Sequence, residues 1–151
     1  MSNDVLQARI DIDAPPARVW SLISDLSQMK RWSPQCRVMK PLGPVRAGTR
    51  TLNLNRRGFQ VWPTTCKLTE VSFERKLAFR VNENNTIWSY ELEPIETGTR
   101  VTETRRSDDG GIKPVSAMLV NAMMGGVPSF ERELIDGMNQ SLARIKAAAE
   151  A

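Results

Sequence analysis

Histidine is missing from this 151-residue chain, and its two cysteines, Cys36 and Cys66, stand 30 positions apart with no CxxC pair. Zinc and iron-sulfur centres therefore have almost no ligands to draw on, and no metal or other cofactor is expected. The cysteines read most simply as small, half-buried side chains. Without imidazole, Ser-His-Asp and Cys-His nucleophilic catalysis are excluded, and so is the side chain best matched to proton transfer near neutral pH. No apolar run approaches the roughly 20 residues that a membrane-spanning helix needs. The opening Met1-Ser2-Asn3-Asp4-Val5 lacks the basic and apolar regions of a secretory signal, so the expected compartment is the cytoplasm. Acidic residues are also scarce in one place: none occurs from Leu26 to Thr69, a stretch that holds Lys30, Arg31, Arg37, Lys40, Arg46, Arg50, Arg56, Arg57 and Lys67.

What is present is the composition of an ordinary globular protein, 40% hydrophobic and 25% charged with a net charge of +4. The length suits one domain over residues 1–151, large enough for a core with an internal pocket. Val5 to Ile12 alternates, with Leu6, Ala8, Ile10 and Ile12 on one side, which is the period of a half-buried strand. Asp13-Ala14-Pro15-Pro16 then stops the strand and offers a helix start, with Asp13 as a candidate cap. Val19, Trp20, Leu22, Ile23 and Leu26 follow at helical spacing, and Met29-Lys30-Arg31-Trp32 adds a turn that Ser33-Pro34 ends.

Six strands are predicted next, near Gln35–Lys40, Thr49–Asn55, Phe59–Glu70, Lys76–Val81, Thr86–Glu93 and Thr99–Arg106, separated by turn-forming clusters. After Asp108-Asp109-Gly110-Gly111 the period becomes helical, over about Pro114 to Met124 and then Pro128 to Ala148. In the second of these helices Phe130, Leu134, Met138, Leu142 and Ile145 form an apolar stripe. Glu131 and Glu133 near its start, with Arg144 and Lys146 near its end, suit the helix dipole.

This order resembles the helix-grip fold of the START-like superfamily, which includes the birch-allergen-like proteins and the polyketide cyclase/dehydrase family. The residues that carry the likeness are Ile12-Asp13-Ala14-Pro15-Pro16-Ala17-Arg18-Val19-Trp20, Asp25, Trp32-Ser33-Pro34 and Gly48-Thr49. Trp88-Ser89-Tyr90-Glu91-Leu92-Glu93-Pro94, Gly98-Thr99-Arg100-Val101-Thr102-Glu103 and Gly137-Met138 through Leu142 add to it. The expected fold is thus α+β: a seven-stranded antiparallel sheet wrapped around a long C-terminal helix, with two short helices after the first strand. The resemblance also implies a hydrophobic ligand cavity between sheet and last helix. It specifies a fold more than an activity.

Alternation nominates Trp62, Thr64, Cys66 and Leu68 on one strand, Leu77 and Phe79 on the next and Trp88 and Tyr90 on the one after as cavity-facing, with plain core packing as the competing reading. From the C-terminal segment come Met118, Ala122, Met123 and Phe130, flexible thioethers being suited to a wall that fits several ligands. On the last strand Val101 faces inward, so Glu103 and Arg105 do as well by alternation. They either orient a polar ligand head, with a desolvated Glu103 as general base, or form a salt bridge at the strand end.

The leading function is binding or carrying an apolar small molecule of lipid, polyketide or isoprenoid type. An enzyme of the polyketide cyclase/dehydrase kind, moving a proton with Glu103, Tyr90 or a bound water, is the alternative. An interaction module using the basic face is a third. That face reads as solvated surface, as a contact for anionic membrane or ligand, or as a nucleic-acid site. The last is not expected, because no recognised binding module accompanies the charge. Both a monomer and a homodimer are compatible with the pattern.

Overall fold

The computed structural model describes residues 5–107 and 127–151, with side chains in the last helix from residue 131 onward. Strand β1 (Val5–Ile12) leads into helix α1 (Pro16–Ile23), a 3-10 turn (Leu26–Gln28) and the one-turn helix α2 (Met29–Trp32). Six further strands follow: β2 (Cys36–Pro41), β3 (Arg50–Arg57), β4 (Gln60–Ser72), β5 (Lys76–Val81), β6 (Thr86–Ile95) and β7 (Gly98–Ser107). Helix α3 (Val127–Glu150) closes the chain. The strands make one antiparallel sheet in the order β1-β7-β6-β5-β4-β3-β2. This is the expected helix-grip architecture; the helix anticipated over Pro114–Met124 lies outside the described residues.

The first two strands occupy opposite edges of the sheet, and α1, the 3-10 turn and α2 carry the chain between them. Helix α1 buries Val19, Trp20, Leu22 and Ile23, the apolar face that its spacing foretold. Its cap differs from the expectation. Pro15 occupies the N-cap position and no side chain caps the helix, while the Asp13 amide donates to Glu150 Oε2 at 2.8 Å. Proline already fixes the φ that a first turn needs. Asp25 is the residue that caps, accepting from Ser27 N and Oγ at the 3-10 turn.

Helix α3 packs on β1, α1 and α2. Met138, Leu142, Ile145 and Ala149 recur every three or four residues along one face and are all buried. The expected dipole complement is not realised: the helix extends beyond both anticipated ends, leaving no acid in its first turn and no base in its last. The charges act laterally instead. Arg144 Nη1 donates to the Trp32 carbonyl at 3.2 Å, and Lys146 Nζ to the Asp11 carbonyl at 2.9 Å. Gly137 lies against the Pro34 ring, to which a Cβ at that position would make an ordinary contact of 3.4 Å.

Where β7 begins, Gly98 has φ +151°, and a Cβ there would lie 2.1 Å from the Ile12 carbonyl oxygen. Thr99 Oγ1 donates to the Ala14 carbonyl at 2.7 Å, tying the same corner. Among the described residues no helix is long and apolar enough to cross a membrane.

Candidate functional site

The inner faces of β2 to β7 and the side of α3 enclose a cavity of about 980 Å³. Its apolar wall includes Met39, Trp62, Phe79, Val81, Trp88 and Met138. Six nominated strand residues, Trp62, Thr64, Cys66, Phe79, Trp88 and Tyr90, line it, as do Glu103 and Arg105 on β7. Leu68 and Leu77 do not. Both are fully buried in the packed core, because alternation fixes which face a side chain takes but not how far along the sheet the cavity extends. Met118, Ala122 and Met123 lie outside the described residues, and Phe130 lies in α3 with its side chain likewise outside them.

Strand β3 contributes residues that apolar patterning does not flag. Asn53 and Asn55 point into the cavity, while Leu52 and Leu54 point outward and are 49% and 40% exposed. The asparagines are held by a polar lattice on the cavity wall. Asn53 Nδ2 donates to Thr64 Oγ1 at 3.2 Å and to Cys66 Sγ at 3.0 Å, and Thr51 Oγ1 donates to Asn53 Oδ1 at 2.8 Å. Asn55 Nδ2 donates to Thr64 Oγ1 at 2.9 Å. These bonds satisfy half-buried amides, so the wall has fixed dipoles with much of its polarity already spent.

Both thiols are kept protonated. Burial pushes Cys36 up to about 11, with Cys66 adding to the effect, and burial also raises Cys66. Such thiols are poor nucleophiles. Among the described residues, no three His, Cys, Asp or Glu side chains converge as metal ligands would.

At the other side of the cavity Tyr90 and Glu103 stand opposite one another across the β6–β7 ladder. Glu103 is 2% exposed, and burial raises its carboxyl to about 8 against the opposing pull of the Tyr90 hydroxyl. At pH 7 it is therefore mainly the neutral acid. Its Oε1 has no hydrogen-bond partner among the described residues. Burial, and then the nearby Glu103, holds Tyr90 well above the usual phenol range, and its hydroxyl contacts Met29 Sδ at 3.9 Å. Arg105, two residues along the same face, is 5% exposed with its guanidinium carbon 6.0 Å from the Trp88 ring centre. Burial lowers its value, and the Glu131 carboxylate opposes that. Alternation thus persists to the end of β7, and among the described residues the Glu103 carboxyl forms no ion pair.

The β3–β4 hairpin borders the cavity. Arg56, Arg57 and Gly58 border the cavity, facing Arg132, Glu133 and Asp136 of α3. Arg57 does not stand free beside the turn. Its Nε and Nη2 donate to the two carboxylate oxygens of Glu133 at 2.5 and 3.0 Å, joining hairpin to helix. Only the turn glycine, Gly58 with φ 60°, and Phe59 remain between the strands.

A sheet curled against one long helix, with a mostly apolar cavity between them and a few inward polar groups, defines the class of helix-grip ligand-cavity proteins. The chain belongs to the family described as polyketide cyclase / dehydrase and lipid transport, whose model matches residues 5–150. Solved structures share the fold at low identity. The di-domain ARO/CYC protein StfQ from the steffimycin biosynthetic pathway superposes with a TM-score of 0.78 at 11% identity, over 97% of this chain and 50% of that one. Protein CV1439 from Chromobacterium violaceum gives 0.67 at 20% identity, over 99% of both chains. A Polyketide_cyc-like protein from Corynebacterium glutamicum gives 0.64 at 23%, over 94% and 88%. No curated protein matches the chain.

Proposed function

We propose that this protein binds an apolar small molecule bearing one oxygen acceptor, such as a carbonyl, and carries it in the cavity. The observation behind this reading is the pairing of about 980 Å³ of largely apolar space with an inward cluster of Tyr90, Glu103 and Arg105 on β6 and β7. That volume is at the upper end of the roughly 300–1,000 Å³ of small-molecule sites. A neutral carboxyl, a neutral phenol and a guanidinium all offer protons, so the cluster favours an acceptor or an anionic oxygen over an amine. Burying ten methylenes yields roughly 8 kcal/mol gross. Association costs on the order of 4–15 kcal/mol, so a plain chain binds weakly and the polar head or ring contacts bring affinity to about the micromolar range.

Titration with lipids, aromatic polyketides and isoprenoids, following tryptophan emission, tests the reading, since Trp62 and Trp88 line the cavity. Saturable change for at least one class is expected, with roughly tenfold weaker binding in Trp88→Ala. No saturable change with any class overturns it. A second reading, a cyclase or dehydrase, is favoured by one observation: a buried carboxyl with a value of about 8 beside Tyr90 is suited to proton transfer near neutral pH. Mass analysis of the same mixtures separates the two, because a carrier returns its ligand unchanged and an enzyme does not.

A further inference from the structure

We infer that the outer face of β2, β3 and β4 is a docking surface for an anionic lipid bilayer. The inversion of β3 creates it. With Asn53 and Asn55 turned inward, Leu52 and Leu54 join Val38, Val61 and Pro63 on the outside. Cross-strand register places Val38, Leu54 and Pro63 in one row, with Leu52 in the next and Val61 in the preceding one. Val38, Leu52 and Leu54 are 40–49% exposed, Val61 is 57% exposed, and Phe59 at the hairpin tip is completely so. Contiguous apolar side chains of this size on the outside of a sheet mark a contact surface.

The cations on this face identify the partner. Lys40 lies opposite Leu52, Arg56 opposite Val61 and Arg50 opposite Lys67, all four cations being exposed. The chain supplies no acid between Leu26 and Thr69. Glu83 reaches the face from the β5–β6 turn, where its carboxylate is taken up by the Thr65 amide and hydroxyl at 2.7 and 2.8 Å. Two copies of the face would bring like charges together, whereas an anionic leaflet is complementary to it. Apolar side chains ringed by Lys and Arg are the pattern of peripheral membrane attachment, the former entering the acyl boundary and the latter meeting acidic headgroups. The placement also has a use. Phe59 adjoins Arg56, Arg57 and Gly58, which border the cavity, so insertion of the tip brings that border to the lipid surface.

Co-sedimentation with vesicles tests this without any cavity ligand, and so separately from the carrier reading. The whole protein is mixed at low salt with vesicles of phosphatidylcholine alone, or of equal parts phosphatidylcholine and phosphatidylserine. Binding is expected only to the mixed vesicles, and it should fade between about 0.1 M and 1 M salt as the screening length falls from about 10 to 3 Å. Phe59→Ser should weaken it roughly tenfold or more, given the transfer free energy of an exposed aromatic. Removing the charges of Lys40 and Lys67 together, by Lys→Gln, should weaken it about thirtyfold. Circular dichroism establishes that each variant is folded. Absence of binding to mixed vesicles at low salt overturns the proposal, as does unchanged binding by folded Phe59→Ser. A dimer in sedimentation velocity that Phe59→Ser dissociates would reassign the face to self-association.

Discussion

Replacing Glu103 by Gln removes one titrating proton from the cavity wall while keeping the side chain's volume. In the native protein burial lifts the carboxyl from an ordinary 4.5 to about 8. Between those values the unfolded chain has released its proton and the native state has kept it, so the native state binds more protons and unfolding becomes easier as pH rises. The stability is complete below about 4.5 and is lost progressively as the pH climbs through about 8. One proton changes stability by about 1.4 kcal/mol per pH unit, so a gap of about 3.5 units corresponds to a loss on the order of 5 kcal/mol. The side chain is 2% exposed, which leaves little solvent screening to reduce that figure. The chain has no histidine, the side chain that ordinarily titrates in this interval.

Urea unfolding followed by tryptophan emission, from pH 5 to 8.5, reads the effect. Wild type should lose ground steadily against Glu103→Gln, its midpoint falling by roughly 2 M relative to the variant for an ordinary dependence on urea. Parallel profiles for the two proteins would refute the reasoning. They would mean that the native carboxyl ionises at its usual pH, which requires water or a cation at Oε1.

Two further outcomes follow from the geometry. Gly98→Ala drives a Cβ to 2.1 Å from the Ile12 carbonyl and 2.8 Å from the Ala14 amide, both backbone atoms, so a loss of about 3 kcal/mol or more, or roughly 10 °C in Tm, is expected by calorimetry. Arg57→Ala breaks an ion pair whose partners are each about a third exposed, so stability should change by less than about 1 kcal/mol while stopped-flow dissociation of any cavity ligand becomes faster.

The strands were legible because one face of most of them is apolar and turns punctuate them. Val5–Ile12 and Lys76–Val81 are observed with the expected ends, and the other five differ by one or two residues at their margins. Strand β3 was legible as a strand but not as a wall. Its inward residues are Asn53 and Asn55, the reverse of the usual arrangement, and the partners Thr51, Thr64, Cys66 and the Trp62 carbonyl make that orientation tolerable. All but Thr51 lie on another strand and leave no local mark. The inward turn of Glu103 and Arg105 was foreseen from Val101 alone, whereas the Arg57–Glu133 pair, 76 positions apart, was not. Register between β3–β4 and α3 depends on tertiary packing, which has no period to read. Leu68 keeps the alternation and faces inward, but the cavity stops short of it, an extent that no periodicity encodes.

The placement of β1 bears on how the chain acquires its shape. This strand is made first, yet its one ladder partner is β7, and α3 lies against it. The meander from β2 to β7 can assemble hairpin by hairpin as each turn emerges, since every one of its ladders joins neighbours in sequence. Strand β1 must wait through all of that, with Leu6, Ile10 and Ile12 uncovered. Closing the longest loop in the sheet is the step with the greatest entropic cost, and it falls late in synthesis. Until β7 has emerged β1 lacks its ladder partner, which makes that segment the natural point of chaperone contact and of mispairing between chains.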